Sequence, residues 1–254
     1  MRYFSEEDRI KKESWLKNYP NFLQNLYRKT KTVHDYYDEE LAPLISKKTV
    51  LLDAGCGEKG IMGKYKGENR LSVGIDLSLE TLKRNNFLDQ LAKADVKRLP
   101  FKDRSFDVVI CQWVVEHLKE PKLVYREFAR VLKPNGDLIM VTNSIYNPLM
   151  FVSAILPTKI RDRLKAKVFP SEIKEDTFPT YYKCNHKKRF EDMLPDLGFS
   201  QVFCDYSGDI SIFLFSKVFF TLALLYEKIT DLKWLNCLKM HIVAHYKMRD
   251  GLWL

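Results

Sequence analysis

The stretch from residue 50 to 60, VLLDAGCGEKG, leaves few options for the chain around it. An apolar run, Val50, Leu51 and Leu52, meets Asp53 and then a turn of small residues, Ala54, Gly55, Cys56 and Gly57. A short apolar run ending in glycines reads as a buried parallel strand feeding a tight turn. Gly55, Gly57 and Gly60 are spaced G-x-G-x-x-G, and residues without a Cβ let a ligand lie against the main chain. Such spacings recur by chance, so the neighbouring segments decide their meaning. LSVGID, Leu71 to Asp76, is a second apolar strand ending in an acid. Asp76 follows Gly55 by 21 residues, close to the ~20 expected of a carboxylate that binds ribose hydroxyls.

Further elements follow in alternation. A short third strand spans 91–94 and leads to Asp95, and a fourth spans 106–111 in SFDVVICQWVVEHL. REFARVLKPNGDLIMVTNS supplies a helix, a turn at Pro134, Asn135 and Gly136, and a fifth strand at 137–142. Gly63 and Gly67 keep the helix after Gly60 short. Ser78 caps a helix expected to reach about Leu88, and another helix runs from about Pro121 to Leu132. Alternating strands and helices build a doubly wound α/β sheet with ligands at the carboxyl ends of its strands. Upstream, residues 1–49 carry Phe22, Leu23, Leu26 and Tyr27 at helical spacing, then the acidic HDYYDEEL. Helices there either close over the ligand edge of the sheet or cover its face.

Residues 50–144 resemble the class I S-adenosylmethionine-dependent methyltransferases, in the broad family related to quinone-biosynthesis methyltransferases. The matching stretches are LLDAGCG, VGIDLS, ADVKRLPFKDRSFDVVI, EHL and REFARVLKPNGDLIMVT. The resemblance implies a Rossmann-like seven-stranded sheet with helices on both faces. With the helical segment over 1–49 read as a cap, this gives a cofactor-binding domain over 50–254 with helical insertions at about 145–183 and 208–239. HKKRFEDMLPDLGF resembles the last core helix and SQVFCDY the sixth strand, with HIVAHYKM as a seventh strand antiparallel beside it. The implied cofactor is S-adenosylmethionine. Gly55 and Gly57 would give backbone access to its amino-acid end and ribose, and Asp53 would meet its ammonium. Asp76 would accept both ribose hydroxyls, Leu77 would pack on the adenine, and Asp95 would accept from the adenine amino group with the Val96 backbone nearby. Gln112 and Trp113 would border the methyl group, Trp113 as a cation–π wall. The family loop often reads G-C-G-x-G; here Glu58 and Lys59 displace the third glycine and put charge at the mouth.

Methyl transfer is an in-line displacement, in which alignment of nucleophile and methyl group is worth ~7–11 kcal/mol in favourable cases. A general base is optional. The candidates are His117 and Glu116, just after the fourth strand, with His186, Tyr181 and Tyr182 as weaker ones. The alternative for His117 is a structural role near a helix start.

Composition narrows the partners. A net charge of +9 and a pI near 9.1 invite nucleic acid, an anionic membrane or a phosphorylated substrate, or reflect a solvated basic surface. No RNA-binding signature is visible, so nucleic acid is not expected. The five cysteines are widely spaced without a C-x-x-C pair, which speaks against a disulfide framework and a metal site and fits a reducing cytoplasm. MRYFSEEDRIKKESW has no apolar signal core. In the first insertion LMFVSAIL precedes Lys159, Arg161, Arg163, Lys165 and Lys167, the composition of an interfacial helix. In the second, Ile210 to Tyr226 holds 17 residues with one charge, Lys217, short of the ~20 that span a bilayer. Such a helix is buried, dimerising or membrane-facing. The leading expectation is methyl transfer to a small-molecule, lipid-linked or glycan-type acceptor, at the inner membrane surface. An RNA methyltransferase, a non-catalytic S-adenosylmethionine-binding partner protein and an NAD-dependent oxidoreductase are the alternatives.

Overall fold

Leu51, Leu52 and Ala54 are fully buried, which places Val50–Ala54 (β1) in the interior of the sheet. The computed structural model describes residues 14–58, 61–156, 160, 163, 178–213 and 216–250. Among them the sheet has seven strands in the order β3-β2-β1-β4-β5-β7-β6. The others are β2 (Leu71–Asp76), β3 (Gln90–Lys93), β4 (Phe106–Gln112), β5 (Leu132–Asn143), β6 (Phe199–Ser207) and β7 (His241–Met248). Strands β1 to β5 pair in parallel, and β7 runs antiparallel to both β5 and β6. The strand order reverses between β1 and β4, so their carboxyl ends flank the crevice where such sheets bind ligands.

Side chains alternate between the two faces of each strand. On one face Leu52, Val73, Val109, Met140 and Ala244 pack with Tyr125 and Phe128 of α4 (Pro121–Val131) and Phe190 of α6 (Lys187–Met193). On the other, Leu51, Val108, Ile110, Val141 and Val243 pack with Val33, Tyr37 and Leu41 of α2 (Val33–Leu41). The segment before β1 therefore covers a sheet face, with Thr32 and Asp35 forming a capping box at its start.

Local departures from the sequence reading have identifiable causes. Helix α3 (Leu79–Arg84) stops short of Leu88 because Asn85 leaves the helical region. Its amide donates to the Gly57 carbonyl and its own side-chain oxygen accepts from Phe87 N. The Pro134-Asn135-Gly136 turn lies inside β5, as a bulge between the pairs Phe106–Leu132 and Val108–Asp137, with Asn135 at φ +61°. Pro195 stands just beyond α6, in a 3-10 turn. The apolar run from Ile210 is not one helix: a 3-10 turn, Ile210–Phe213, precedes α7 (Lys217–Ile229). Lys159, Arg161, Lys165 and Lys167 lie outside the described residues.

Helix α7 buries Phe220 and Leu224 against Leu16, Tyr19 and Leu23, the last on α1 (Asn21–Arg28). Val33 N donates to Gly208 O at 3.1 Å, joining the same two distant stretches of chain. Glu227, the buried acid of α7, pairs with Lys239, which also reaches Asp231 at 2.7 Å.

His245 of β7 ties the α2 face together. Its Nδ1 meets Glu40 Oε2 at 2.7 Å and its Nε2 meets Asp137 Oδ1 at 2.8 Å. Burial pushes the imidazole pKa down, but the two carboxylates outweigh it and hold it above its ordinary value. A histidine with a raised folded pKa stabilises fully below the unfolded value of about 6.5, and that contribution is lost as pH rises through the raised value. Urea unfolding is expected to show stability falling as pH rises above the unfolded value of about 6.5, with a flatter dependence in His245→Gln. An equally steep fall in the variant would contradict the assignment.

Candidate functional site

The turn after β1 is built from conformations that side chains oppose. Gly55 and Gly57 have φ of +83° and +52°. A Cβ on Gly55 would lie 2.2 Å from Cγ2 of Val114, whereas one on Gly57 would meet nothing within 4 Å. Gly55 is thus packed from behind, while the Gly57 backbone borders open space. The turn is bonded to β2: the amides of Gly55 and Cys56 both donate to the Ile75 carbonyl, at 2.8 and 3.0 Å. Gly57 N donates to Asp76 Oδ2 at 2.9 Å and Ser78 N to Asp76 Oδ1 at 2.8 Å. Each Asp76 oxygen keeps a lone pair for a further donor. Glu58 pairs with Arg84 at 3.0 Å; Lys59 and Gly60 lie outside the described residues.

Asp53, at the end of β1, is 2% exposed, and its Oδ2 has no hydrogen-bond partner among the described residues. Burial, and then the charge of Asp76, push its carboxyl up to about 7. Leu77 is exposed beside Asp76. Asp95, past β3, accepts from Lys97 N at 2.9 Å and lies 3.4 Å from Lys97 Nζ, with Val96 next to it half-buried. β1, β2 and β3 thereby bring Asp53, Gly55, Gly57, Asp76, Leu77, Asp95 and Val96 to one edge of the sheet.

The wall after β4 is different. Gln112 is the last residue of β4, and Trp113 follows with φ +57° while donating to Val141 O at 2.9 Å. A left-handed backbone on a bulky residue costs roughly 1–3 kcal/mol. That strain sets the indole edge-to-face against the His241 ring, with centroids 4.8 Å apart. His117 lies in the 3-10 turn Val115–His117, and its Nδ1 donates to Pro179 O at 3.0 Å because a carbonyl can only accept. Its ring meets Phe178 edge-on.

Glu116 has both side-chain oxygens engaged. It is 4% exposed, and its oxygens accept from Thr142 Oγ1 at 2.8 Å and Asn143 Nδ2 at 2.9 Å. Its backbone oxygen accepts from Tyr181 N and Tyr182 N, and Asn185 Nδ2 donates to Thr142 Oγ1. The carboxylate joins the segment after β4 to the end of β5. His186 stands before α6 near Tyr146, its pKa lowered by burial. Among the described residues no cluster of histidines, cysteines and acids is placed to hold a metal.

Sequence reasoning missed Asn143 and His241, which pair across β5 and β7. HIVAHYKM reads as a plain strand. The available signal was direction: the first residue of an antiparallel strand lies level with the carboxyl ends of its parallel neighbours.

Residues 52–140 match the family described as methyltransferase domain. The chain is 33% identical over 129 residues to an uncharacterised protein of Methanocaldococcus jannaschii, covering 49% of this chain and 55% of that protein. It is 34% identical over 137 residues to a ubiquinone biosynthesis O-methyltransferase of Hahella chejuensis, covering 48% and 53%. The chain spans about half the length of these curated relatives. The crystal structure of geranyl diphosphate C-methyltransferase from Streptomyces coelicolor has a TM-score of 0.56 over 85% of this chain and 77% of that one. At 13% identity that likeness concerns the fold.

The Asp53 carboxyl is expected to titrate near pH 7 when followed by carbon NMR. A midpoint in the ordinary aspartate range near 3.9 would contradict the burial described here.

Proposed function

We propose that this chain is a class I S-adenosylmethionine-dependent methyltransferase, a reading supported by the match of residues 52–140 to a methyltransferase domain, and that it methylates a small apolar or lipid-linked acceptor at a bilayer surface. The observation that carries the first half is the unsatisfied Asp53 Oδ2 beside the open backbone of Gly57. A buried acceptor without a donor suits the ammonium of the cofactor's amino-acid end. Asp76 has one free lone pair on each oxygen for a vicinal diol, Leu77 offers an apolar surface for the adenine, and Asp95 an acceptor for its amino group. Gln112 and Trp113 border the methyl group at the end of β4.

When bound, S-adenosylmethionine supplies an electrophilic methyl group on a sulfonium. The chain's part is to hold and align. The glycine turn fixes one reactant against β1 and β2, and the Trp113 indole walls the β4 side. Alignment of this kind accounts for ~7–11 kcal/mol of barrier lowering in favourable cases. His117, anchored by Pro179, belongs to the acceptor-side wall in this reading.

Two apolar helix faces support the second half. Helix α5 (Pro148–Ile155) exposes Leu149, Phe151, Val152 and Ile155. Helix α7 exposes Val218, Phe219, Leu222, Leu225 and Ile229. Both are fastened to the Leu238 carbonyl, through Asn147 Nδ2 at 2.8 Å and Tyr226 OH at 2.7 Å. Large outward apolar patches mark interaction surfaces, and a net charge of +9 draws anionic headgroups to them. No helix among the described residues is long and apolar enough to cross a membrane, and α7 has 13 residues. The contact proposed is interfacial. A relative named as a ubiquinone biosynthesis O-methyltransferase supports a small-molecule acceptor.

The test is incubation with methyl-labelled S-adenosylmethionine and separated lipid, polysaccharide, RNA and protein fractions from the source cells. Label is expected in lipid, lost in Asp76→Ala. The double variant L222E/L225E is expected to bind S-adenosylhomocysteine normally, yet to stay in the supernatant when phosphatidylglycerol vesicles are pelleted and to leave the lipid fraction unlabelled. Label in RNA alone, or unchanged vesicle sedimentation of the double variant, would overturn the surface reading.

A further inference from the structure

His241 is the buried titratable group that the account so far leaves without a task. It is the first residue of β7, fully buried, at the carboxyl edge of the sheet between β5 and β6. Its Nδ1 lies 3.2 Å from Asn143 Oδ1. The orientation of that amide follows from its other end. Glu116 Oε1 can only accept as a carboxylate, so the atom 2.9 Å away must be Asn143 Nδ2. Asn143 then presents its oxygen to the imidazole, and His241 Nδ1 must carry the hydrogen. The tautomer is fixed by two contacts. It leaves Nε2 with a bare lone pair, and that atom is fully buried without a hydrogen-bond partner among the described residues.

A buried acceptor without a donor costs folding free energy and calls for an explanation, and a ligand that brings the donor supplies one. The location says from where. The His241 ring packs edge-to-face with Trp113, the residue after β4 whose strained backbone turns it there. In the reading above, Trp113 borders the methyl group. His241 therefore lies one side chain beyond it, on the side of β5 and β7.

We propose that His241 Nε2 binds the hydroxyl of the acceptor and takes its proton during methyl transfer, with Asn143 and Glu116 as positioning residues. The proposal rests on the methyltransferase reading and deepens it by assigning a hydroxyl acceptor. In the step, the acceptor's O–H bond breaks and its oxygen bonds to the methyl carbon. The methyl–sulfur bond breaks with its electron pair remaining on sulfur, and the proton passes to Nε2. One positive charge vanishes at sulfur as another forms on the imidazole, so the buried site carries the same charge before and after. Glu116, through Asn143, lies behind the new imidazolium, the arrangement of an oriented histidine base.

The resting imidazole is neutral. Burial pushes its pKa down to about 3, with Asp209 pulling it up and His34 of α2 pushing it further down. His34 Nε2 and Asp209 Oδ2 are themselves 3.9 Å apart. The lone pair is available throughout the working pH range.

The primary test uses His241→Asn, whose amide N–H replaces Nδ1–H toward Asn143 while Nε2 is lost together with Cε1 and the ring contact to Trp113. Nitrogen NMR of the whole protein with labelled histidines is expected to show one histidine, absent from the variant, as the neutral Nδ1–H form with bare Nε2. An Nε2–H form would overturn the proposal without any activity measurement. Calorimetry is expected to show S-adenosylhomocysteine bound equally by both proteins. Single-turnover labelling of the lipid fraction is expected to fall at least about a hundredfold in the variant, with a residual rate rising about tenfold per pH unit as hydroxide replaces the base. Glu116→Gln keeps the shape of the network without its charge and is expected to lose about tenfold, with wild-type cofactor binding. Wild-type labelling by His241→Asn, flat with pH, would overturn this proposal alone. Failure of the wild-type protein to bind S-adenosylhomocysteine, or to label any fraction, would overturn the methyltransferase reading and this proposal together.

Discussion

The structure depends on one close approach, that of the Gly55 backbone to Val114. Three strand ends meet at that point. Gly55 closes β1, its amide bonds to Ile75 of β2, and Val114 follows β4 by two residues. A methyl group on Gly55 would occupy the position of the Val114 side chain, and φ +83° opposes any L side chain there. Past the tight turn Gly57 borders open space with its amide on Asp76, and Asp53, at the end of β1, has an oxygen without a partner among the described residues. The crevice is the residue of that packing rather than a separate device.

The same edge divides into two chemical halves. On β1, β2 and β3 it is acidic and lined by backbone, with Asp53, Asp76 and Asp95. At β4, β5 and β7 it is aromatic and amide-rich, with Trp113, Asn143 and His241, and Asn185 of the segment before α6 bonded to Asn143. The halves meet at Trp113, where backbone strain turns an indole across the boundary. A site that binds a charged nucleoside on one side and a less polar molecule on the other has the division that methyl transfer between two dissimilar reactants requires.

What was legible in the sequence follows from what is local. VLLDAGCG and LSVGID carry strand, turn and acid in consecutive residues, so β1, β2 and the acids at their carboxyl ends could be read directly. The parallel core through β5 followed, except for the bulge that places Pro134 to Gly136 within a strand. Contacts between distant stretches were not legible. No periodicity in Ile210 to Tyr226 indicates that Phe220 meets Tyr19, or that the run breaks before Lys217. Glu116 shows the same limit within the site. Its place beside His117 suggested a base, and only the return of β5 reveals Thr142 and Asn143 holding both its oxygens. His241 stayed hidden because a histidine opening an apolar strand carries no mark of which sheet edge it will reach.

The central claim is that the β1–β2 turn holds S-adenosylmethionine through a backbone only glycine can supply. Calorimetric titration of S-adenosylhomocysteine into the wild-type protein and Gly55→Ala tests it most directly, with circular dichroism confirming that both are folded. The account predicts saturable binding by the wild-type chain and a loss of at least about tenfold, or 1.4 kcal/mol, in the variant. Equal affinity in the two proteins, or no binding by the wild type, would contradict it.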